Sequence, residues 1–314
     1  MGRQSTSWPK VGVGLVGFAL VATLSACGTS TGPGANSTTG TSSPTGTSSP
    51  TSTTSTTPTT PTATTARPAA GRLSGIPIYW IAESRRSFAL YREFRDVPDM
   101  GGPVASAISA MTSLRPLDPD YRTPWRPASR VTVSQKGTAI RVDLSADAFS
   151  NAQVGSELAE RAVQQLVYTA TAAAQQAGTP ASSVKITVDG AASDVWGVLR
   201  LGEAMQRAPM SEVQAHTWVT SPQEGENLPV GTVTFQGFGT SFEANFVWEV
   251  SNDSGAVVAK GFTMGGTGDG RFGGFTFAAK LTAGSYSVKV SGDDPSGGAE
   301  GPGAAVDDKS FTVR

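Results

Sequence analysis

The chain has 314 residues, a formal net charge of −1, and a single histidine and a single cysteine. This length allows two domains of roughly 100–200 residues each. The balanced charge leaves no basic field to attract nucleic acid, and one histidine with one cysteine excludes internal disulfides and Cys/His zinc sites. We therefore expect no nucleic-acid partner, no cofactor and no metal.

Residues 1–26 have the pattern of a lipoprotein signal peptide. Arg3 and Lys10 form a positive flank, and the apolar run at 11–24 is shorter than the roughly 20 residues that span a bilayer. The run ends in Leu-Ser-Ala-Cys, which resembles the bacterial lipobox. The resemblance implies a lipidated Cys27, with palmitate-type acyl chains, on the extracytoplasmic face of the cell membrane. A soluble secreted protein with an unmodified thiol is the alternative.

The stretch that follows Cys27 is a tether. Residues 27–70 are mostly Ser, Thr, Pro, Gly and Ala, and Arg67 is their only charge. A segment without large apolar residues cannot offset the entropy of folding, so we expect it to be disordered.

The first globular segment, residues 71–208, alternates between strand and helix patterns. The expected elements are strands at 76–81 and 88–97, a helix at 104–114, a hairpin at 131–144, a helix at 156–177 and a strand at 184–188. Ser156 is the expected N-cap of the longer helix. The order contains no repeated βαβ unit, which predicts an α+β domain with an antiparallel or mixed sheet and two helices.

Several motifs in this segment resemble the GerM-type (GerMN) domain of sporulation and spore germination, found in actinobacterial lipoproteins. They are REFRDV at 92–97, DPDYRTPW at 118–125, VDLS at 142–145, QQLVYTATA at 164–172 and VDG at 188–190. The resemblance implies a non-catalytic envelope module.

The second globular segment, residues 215–314, has short alternating runs separated by glycine-rich turns. We expect seven strands, at 217–220, 230–236, 243–250, 256–263, 272–278, 285–290 and 309–313. Seven strands in about 100 residues predict an all-β immunoglobulin-like sandwich. The runs at 221–228, 231–239, 242–250 and 281–290 resemble the immunoglobulin-like domain of bacterial spore germination, for which adhesion or docking is the implied role. We expect each half to fold separately.

Few residues offer catalytic chemistry. His216 lies in the junction, outside any strand-to-helix nucleophile turn, and the GxGxxG match at 268–273 precedes an alternating run, so we expect a hairpin turn there. A carboxylate-based wall hydrolase remains an alternative through Asp118, Asp120, Asp143 and Asp189. Five acidic residues cluster near the end of the sequence, and for them solvated loop charge is favoured over a calcium site. They are Asp293, Asp294, Glu300, Asp307 and Asp308.

The proline-rich loop at 116–127 is the expected binding surface. Its candidate partner-binding residues are Tyr121, Arg122, Trp125 and Arg126, because aromatic and arginine side chains dominate binding hot spots. We expect Trp125 to be exposed. The sequence thus favours a non-enzymatic, lipid-anchored envelope protein that binds an envelope protein or peptidoglycan, over a hydrolase or a solute-binding lipoprotein.

Overall fold

The computed structural model describes residues 71–84, 87–293 and 303–314. The expected signal peptide, Cys27 and the tether lie outside these ranges, as do Asp294 and Glu300. The described residues belong to one compact unit. Its two halves share contacts, and the expectation that each half folds separately stays a prediction.

The first half is an α+β domain, as expected. Its elements are β1 (Arg72–Ser84), β2 (Ser87–Pro98), α1 (Pro103–Ser113), β3 (Val131–Lys136), β4 (Ala139–Leu144), α2 (Ser156–Gln176), β5 (Ser183–Val188), β6 (Asp194–Val195), β7 (Leu199–Arg200), β8 (Ala204–Met205) and α3 (Met210–Val213). The four-stranded sheet has the order β3-β4-β5-β8 and is mixed, since only β4 and β5 run parallel. Gly155, one position before the expected Ser156, is the N-cap of α2.

The strands β1 and β2 form a separate two-stranded ribbon rather than an edge of that sheet. The ribbon needs no third strand because side chains and a loop satisfy the outer edge of β1. At Tyr79, the backbone N–H donates to Thr169 and the carbonyl accepts from Gln165, both fully buried side chains of α2. At Ile81, backbone N–H and C=O bond with Arg122 at 2.9 and 2.7 Å. The ribbon therefore fixes both α2 and the proline-rich loop.

The second half is the expected sandwich, with a short extra strand. Its elements are β9 (Thr217–Ser221), β10 (Glu226–Leu228), β11 (Gly231–Gly239), β12 (Asn245–Asn252), β13 (Val257–Met264), β14 (Gly273–Leu281), β15 (Gly284–Gly292) and β16 (Val306–Val313). One sheet has the order β10-β16-β15-β12-β13 and the other β14-β11-β9. Phe246, Trp248 and Val250 point into the core between the sheets.

The glycine-rich run at 268–273 lies between β13 and β14, which belong to different sheets. The expectation of a hairpin turn is wrong, because the run crosses from one sheet to the other. Among the described residues, the helices lack the combination of length and hydropathy that a transmembrane span requires.

The two halves pack against each other at the junction. Trp218 of β9 is buried in the hydrophobic core of the first half. The Ala215 amide donates to the Leu90 carbonyl, and the Phe94 amide donates to the Gln223 side chain at 2.7 Å. These contacts place β2 beside the first strand of the sandwich.

Candidate functional site

Trp125 is buried, with only 2 % of its surface exposed. Its indole N–H donates to the Ala162 carbonyl at 3.2 Å, and its ring packs edge-on against Phe149 and Trp196. The expectation of an exposed Trp125 is wrong, because the loop folds back onto the domain and its tryptophan ring packs against two other aromatic rings. The indole ring therefore stabilises the loop and is not available to a partner.

Tyr121 is also buried, and its hydroxyl lies at the interface between the halves. The hydroxyl donates to Asp307 Oδ1 at 2.8 Å, and the ring lies 4.6 Å from the ring of Tyr91. Burial raises the pKa of Tyr91 to about 12 and that of Tyr121 well above its ordinary value, so both stay protonated.

Lys309 completes this interface from β16. Its ammonium nitrogen lies 2.6 Å from Asp118 Oδ2, 2.8 Å from Asp307 Oδ2 and 2.8 Å from the Tyr121 oxygen. Asp307 also accepts from the backbone N–H of Val219 at 2.7 Å. We call these four side chains the interface cluster: Asp118, Tyr121, Asp307 and Lys309.

The interface cluster buries two carboxylates with one ammonium. Burial raises the pKa of Asp307 to about 6, although Lys309 opposes the shift. Burial alone would lower the pKa of Lys309, but Asp307 and Asp118 outweigh it and the pKa is raised. The lysine is therefore charged at neutral pH.

The expectation of solvated loop charge is wrong for Asp307, which is buried in a strand. The alternation of β16 offered a signal that we missed. Asp307 and Lys309 lie on the same side of β16 as Phe311 and Val313, because side chains two positions apart share one face of a strand. All four residues are buried.

The surface of the proline-rich loop is a groove bordered by arginines. Residues 112–116, 118–119, 121–123 and 125–127 line a cavity of about 480 Å³. Arg115, Arg122 and Arg126 are exposed. Arg122 pairs with Glu83 at 3.0 Å, whereas the guanidinium groups of Arg115 and Arg126 make no hydrogen bond or ion pair within the described ranges. We call this feature the arginine groove.

The acids considered for hydrolysis have structural partners, apart from the exposed Asp120. Asp143 accepts from Thr187 and from the Gly190 amide and pairs with Arg130, which also pairs with Asp189 at 2.7 Å. Burial would raise the pKa of Asp143, but these hydrogen bonds outweigh it and the pKa is lowered. An acid held ionised in this way is unsuited to protonating a leaving group.

His216 is half-buried, with its ring against Phe272. In the described part of the chain, no group of three or more His, Cys, Asp or Glu residues is arranged to hold a metal ion.

Two families match the chain in the order of its two halves. The family described as "Sporulation and spore germination" (Germane) matches residues 77–194. The family described as "Immunoglobulin-like domain of bacterial spore germination" (Gmad2) matches residues 216–299. Neither description names a catalytic activity. No curated protein matches the chain.

Two solved structures are similar over parts of the chain. CopC from Methylosinus trichosporium OB3b is 22% identical over 31% of this chain and 93% of its own, with a TM-score of 0.24. An engineered protein is 13% identical over 49% of this chain and 36% of its own, with a TM-score of 0.25. Neither similarity supports a conclusion about function. The family matches, together with the α+β domain and the sandwich, identify the chain as a sporulation and spore germination (GerMN) domain followed by an immunoglobulin-like domain of bacterial spore germination.

Proposed function

We propose that the protein is a non-catalytic, lipid-anchored protein that binds a partner in the bacterial cell envelope. In this proposal, Cys27 anchors the chain to the extracytoplasmic face of the membrane, and residues 28–70 act as the tether. Such a tether would average roughly 35 Å from end to end as a flexible coil. The partner is an envelope protein or peptidoglycan, in envelope assembly of the type that accompanies sporulation and germination.

The arginine groove is the observation that carries the proposal. It is an open cavity of about 480 Å³ beside Arg115 and Arg126, whose guanidinium groups have no partner within the described ranges. A guanidinium group binds carboxylates and phosphates through paired hydrogen bonds. The groove therefore favours a partner that presents anionic groups.

The arrangement beneath the groove favours binding over catalysis. Asp118 lies in the lining of the cavity, but its carboxylate is buried and paired with Lys309. Trp125 and Tyr121 are fixed by hydrogen bonds and ring contacts. A rigid floor of this type limits the entropy lost when a partner binds.

The test compares charge reversals at the groove with a matched reversal elsewhere. We expect Arg115→Glu and Arg126→Glu, each introduced into residues 71–314, to reduce partner binding at least tenfold. Binding is measured as cosedimentation with isolated peptidoglycan or as crosslinking to a single membrane protein. Lys280→Glu, at an exposed position of β14, makes the same charge change and should leave binding unaltered.

Two results would contradict the proposal. If both groove variants capture the partner as well as the wild type does, the arginine groove is excluded as the binding surface. Release of soluble muropeptides by the purified protein would exclude a non-catalytic role.

A further inference from the structure

The outer face of the five-stranded sheet presents a row of alternating charges across four strands. Glu249 on β12 lies directly between Lys260 on β13 and Lys289 on β15, and Lys289 lies opposite Asp308 on β16. All four residues are exposed. Within the described ranges, no ion pair joins any two of them. We call this the charged row, with signs that read plus, minus, plus, minus from β13 to β16.

A second row lies two residues along each strand, on the same face. Val247 on β12 lies between Phe262 on β13 and Ser291 on β15, and Ser291 lies opposite Val306 on β16. Phe262 is 74% exposed, and Val247 and Val306 are each 40% exposed. We call this the apolar row. Large apolar side chains grouped on an open sheet face are typical of an interaction surface.

We propose that this face binds the same face of a second copy of the chain. The two-fold axis would run parallel to the strands, midway between β12 and β15. A rotation about that axis places β13 of one copy over β16 of the other, and β12 over β15. Each sheet then covers the outer face of its partner, as two sheets do in aligned sandwich packing.

The order of charges supports this occupant. Rotation about the proposed axis reverses the order of the charged row, so Lys260 of one copy faces Asp308 of the other. Glu249 of one copy likewise faces Lys289 of the other. All four contacts therefore join opposite charges. A two-fold axis along the row itself would place each charge against its own copy, which like-charge repulsion disfavours.

The apolar row follows the same rotation. Phe262 of one copy faces Val306 of the other, and Val247 faces Ser291. The apolar groups thus meet across the interface while the charged row fixes the orientation.

The size of the face is also sufficient. The four facing strands, at a spacing of about 4.8 Å and with about eight residues each at 3.3 Å, give a face of roughly 500 Å² per copy. Two copies would together bury roughly 1,000 Å², which is about the least that a specific protein interface requires. We therefore expect a reversible dimer rather than an obligate one.

The test is a charge swap in residues 71–314, which contain both hydrophobic cores. We expect sedimentation velocity to show a concentration-dependent dimer. Glu249→Lys and Lys289→Glu should each raise the dissociation constant at least tenfold, because each variant places two like-charged pairs across the axis. The double variant Glu249→Lys/Lys289→Glu should restore dimerisation, because residues 249 and 289 of opposite copies again carry opposite charges.

The double variant separates this interface from effects within one chain. It leaves Lys260 beside a new lysine on the neighbouring strand, so it does not restore the cross-strand pattern inside the copy. Phe262→Ser should also weaken the dimer, whereas Val230→Ser, an exposed valine before β11, should not. Thermal melting checks that each variant is folded.

Three results would overturn the proposal: a monomer at every concentration, a dimer that neither single reversal weakens, or a folded double variant that dimerises as weakly as the single variants. The arginine groove lies on the other domain, so none of these results bears on the proposed function.

Discussion

Lys309 Nζ lies 2.6 Å from Asp118 Oδ2, and this buried ion pair joins two residues that are 191 positions apart. One residue belongs to the α+β domain and the other to the last strand of the sandwich. The pair is supported by Asp307 and Tyr121, so the two domains meet through a hydrogen-bonded cluster and not through apolar contacts alone.

Replacing the buried lysine should destabilise the unit strongly. Lys309→Met keeps most of the side-chain volume but leaves Asp118 and Asp307 buried without their cation. Breaking a buried pair in this way costs about 3–5 kcal/mol. Urea unfolding of residues 71–314 measures the change, and exposed Lys280→Met is the control, with an expected change below about 0.5 kcal/mol. Equal effects of the two substitutions would contradict the role of the cluster.

Stability should depend on pH through Asp307. Its pKa is raised to about 6 by burial, so the folded state holds the proton more tightly than the unfolded chain, where an aspartate pKa is about 3.9. This group therefore makes folding less favourable as pH rises from about 4 to above 6. Asp307→Asn does not titrate.

The stability of Asp307→Asn relative to the wild type should accordingly increase by about 2 kcal/mol between pH 4 and pH 7. Unfolding by urea at several pH values measures this difference. Lys309 does not contribute in this window, because its raised pKa affects stability only in alkaline solution. A difference that stays constant across the range would show that Asp307 ionises normally in the folded state.

Removal of the Trp125 ring should act on stability. Trp125→Ala leaves a cavity against Phe149 and Trp196, which costs about 3–5 kcal/mol. The neighbouring Arg126→Ala, at an exposed position, should change stability by less than about 0.5 kcal/mol. Thermal or urea unfolding distinguishes the two. An unaltered unfolding midpoint in Trp125→Ala would show that the ring is not part of the core.

Lipidation is tested at Cys27, which lies outside the described residues. Acyl chains contribute about 0.8 kcal/mol per buried CH₂, so two or three chains hold a protein on the membrane. Cys27→Ala should abolish labelling by a fatty-acid analogue and release the protein from the membrane fraction. Cys27→Ala that keeps its label and its membrane association would refute the lipobox assignment.

Local patterns predicted the elements well. The apolar stripe at 156–177 and the alternation at 131–144 predicted α2 and the β3–β4 hairpin, because each signal lies within a few neighbouring residues. The separate ribbon of β1 and β2 was not predictable in this way. Its outer edge is completed by Gln165 and Thr169, which are distant in sequence.

The candidate site shows the same limit. Composition drew attention to the loop at 116–127, which lines a cavity bordered by arginines. Its role as a binding surface stays a prediction. The burial of Trp125 and Tyr121 depends on rings and acceptors from other elements, such as Trp196 and Asp307. No local pattern in the loop specifies those partners.

The position of Lys309 also sets an order of events during synthesis. The ribosome produces the chain from its N-terminus, so the α+β domain is complete long before residue 309 emerges. Until then, Asp118 and Tyr121 lack their partners from β16. Domains generally fold as units during synthesis, which makes closure of this interface a late step. A nascent chain paused before β16 would carry a sandwich that still lacks the strand between β10 and β15, and its two halves would not yet be joined by the buried ion pair.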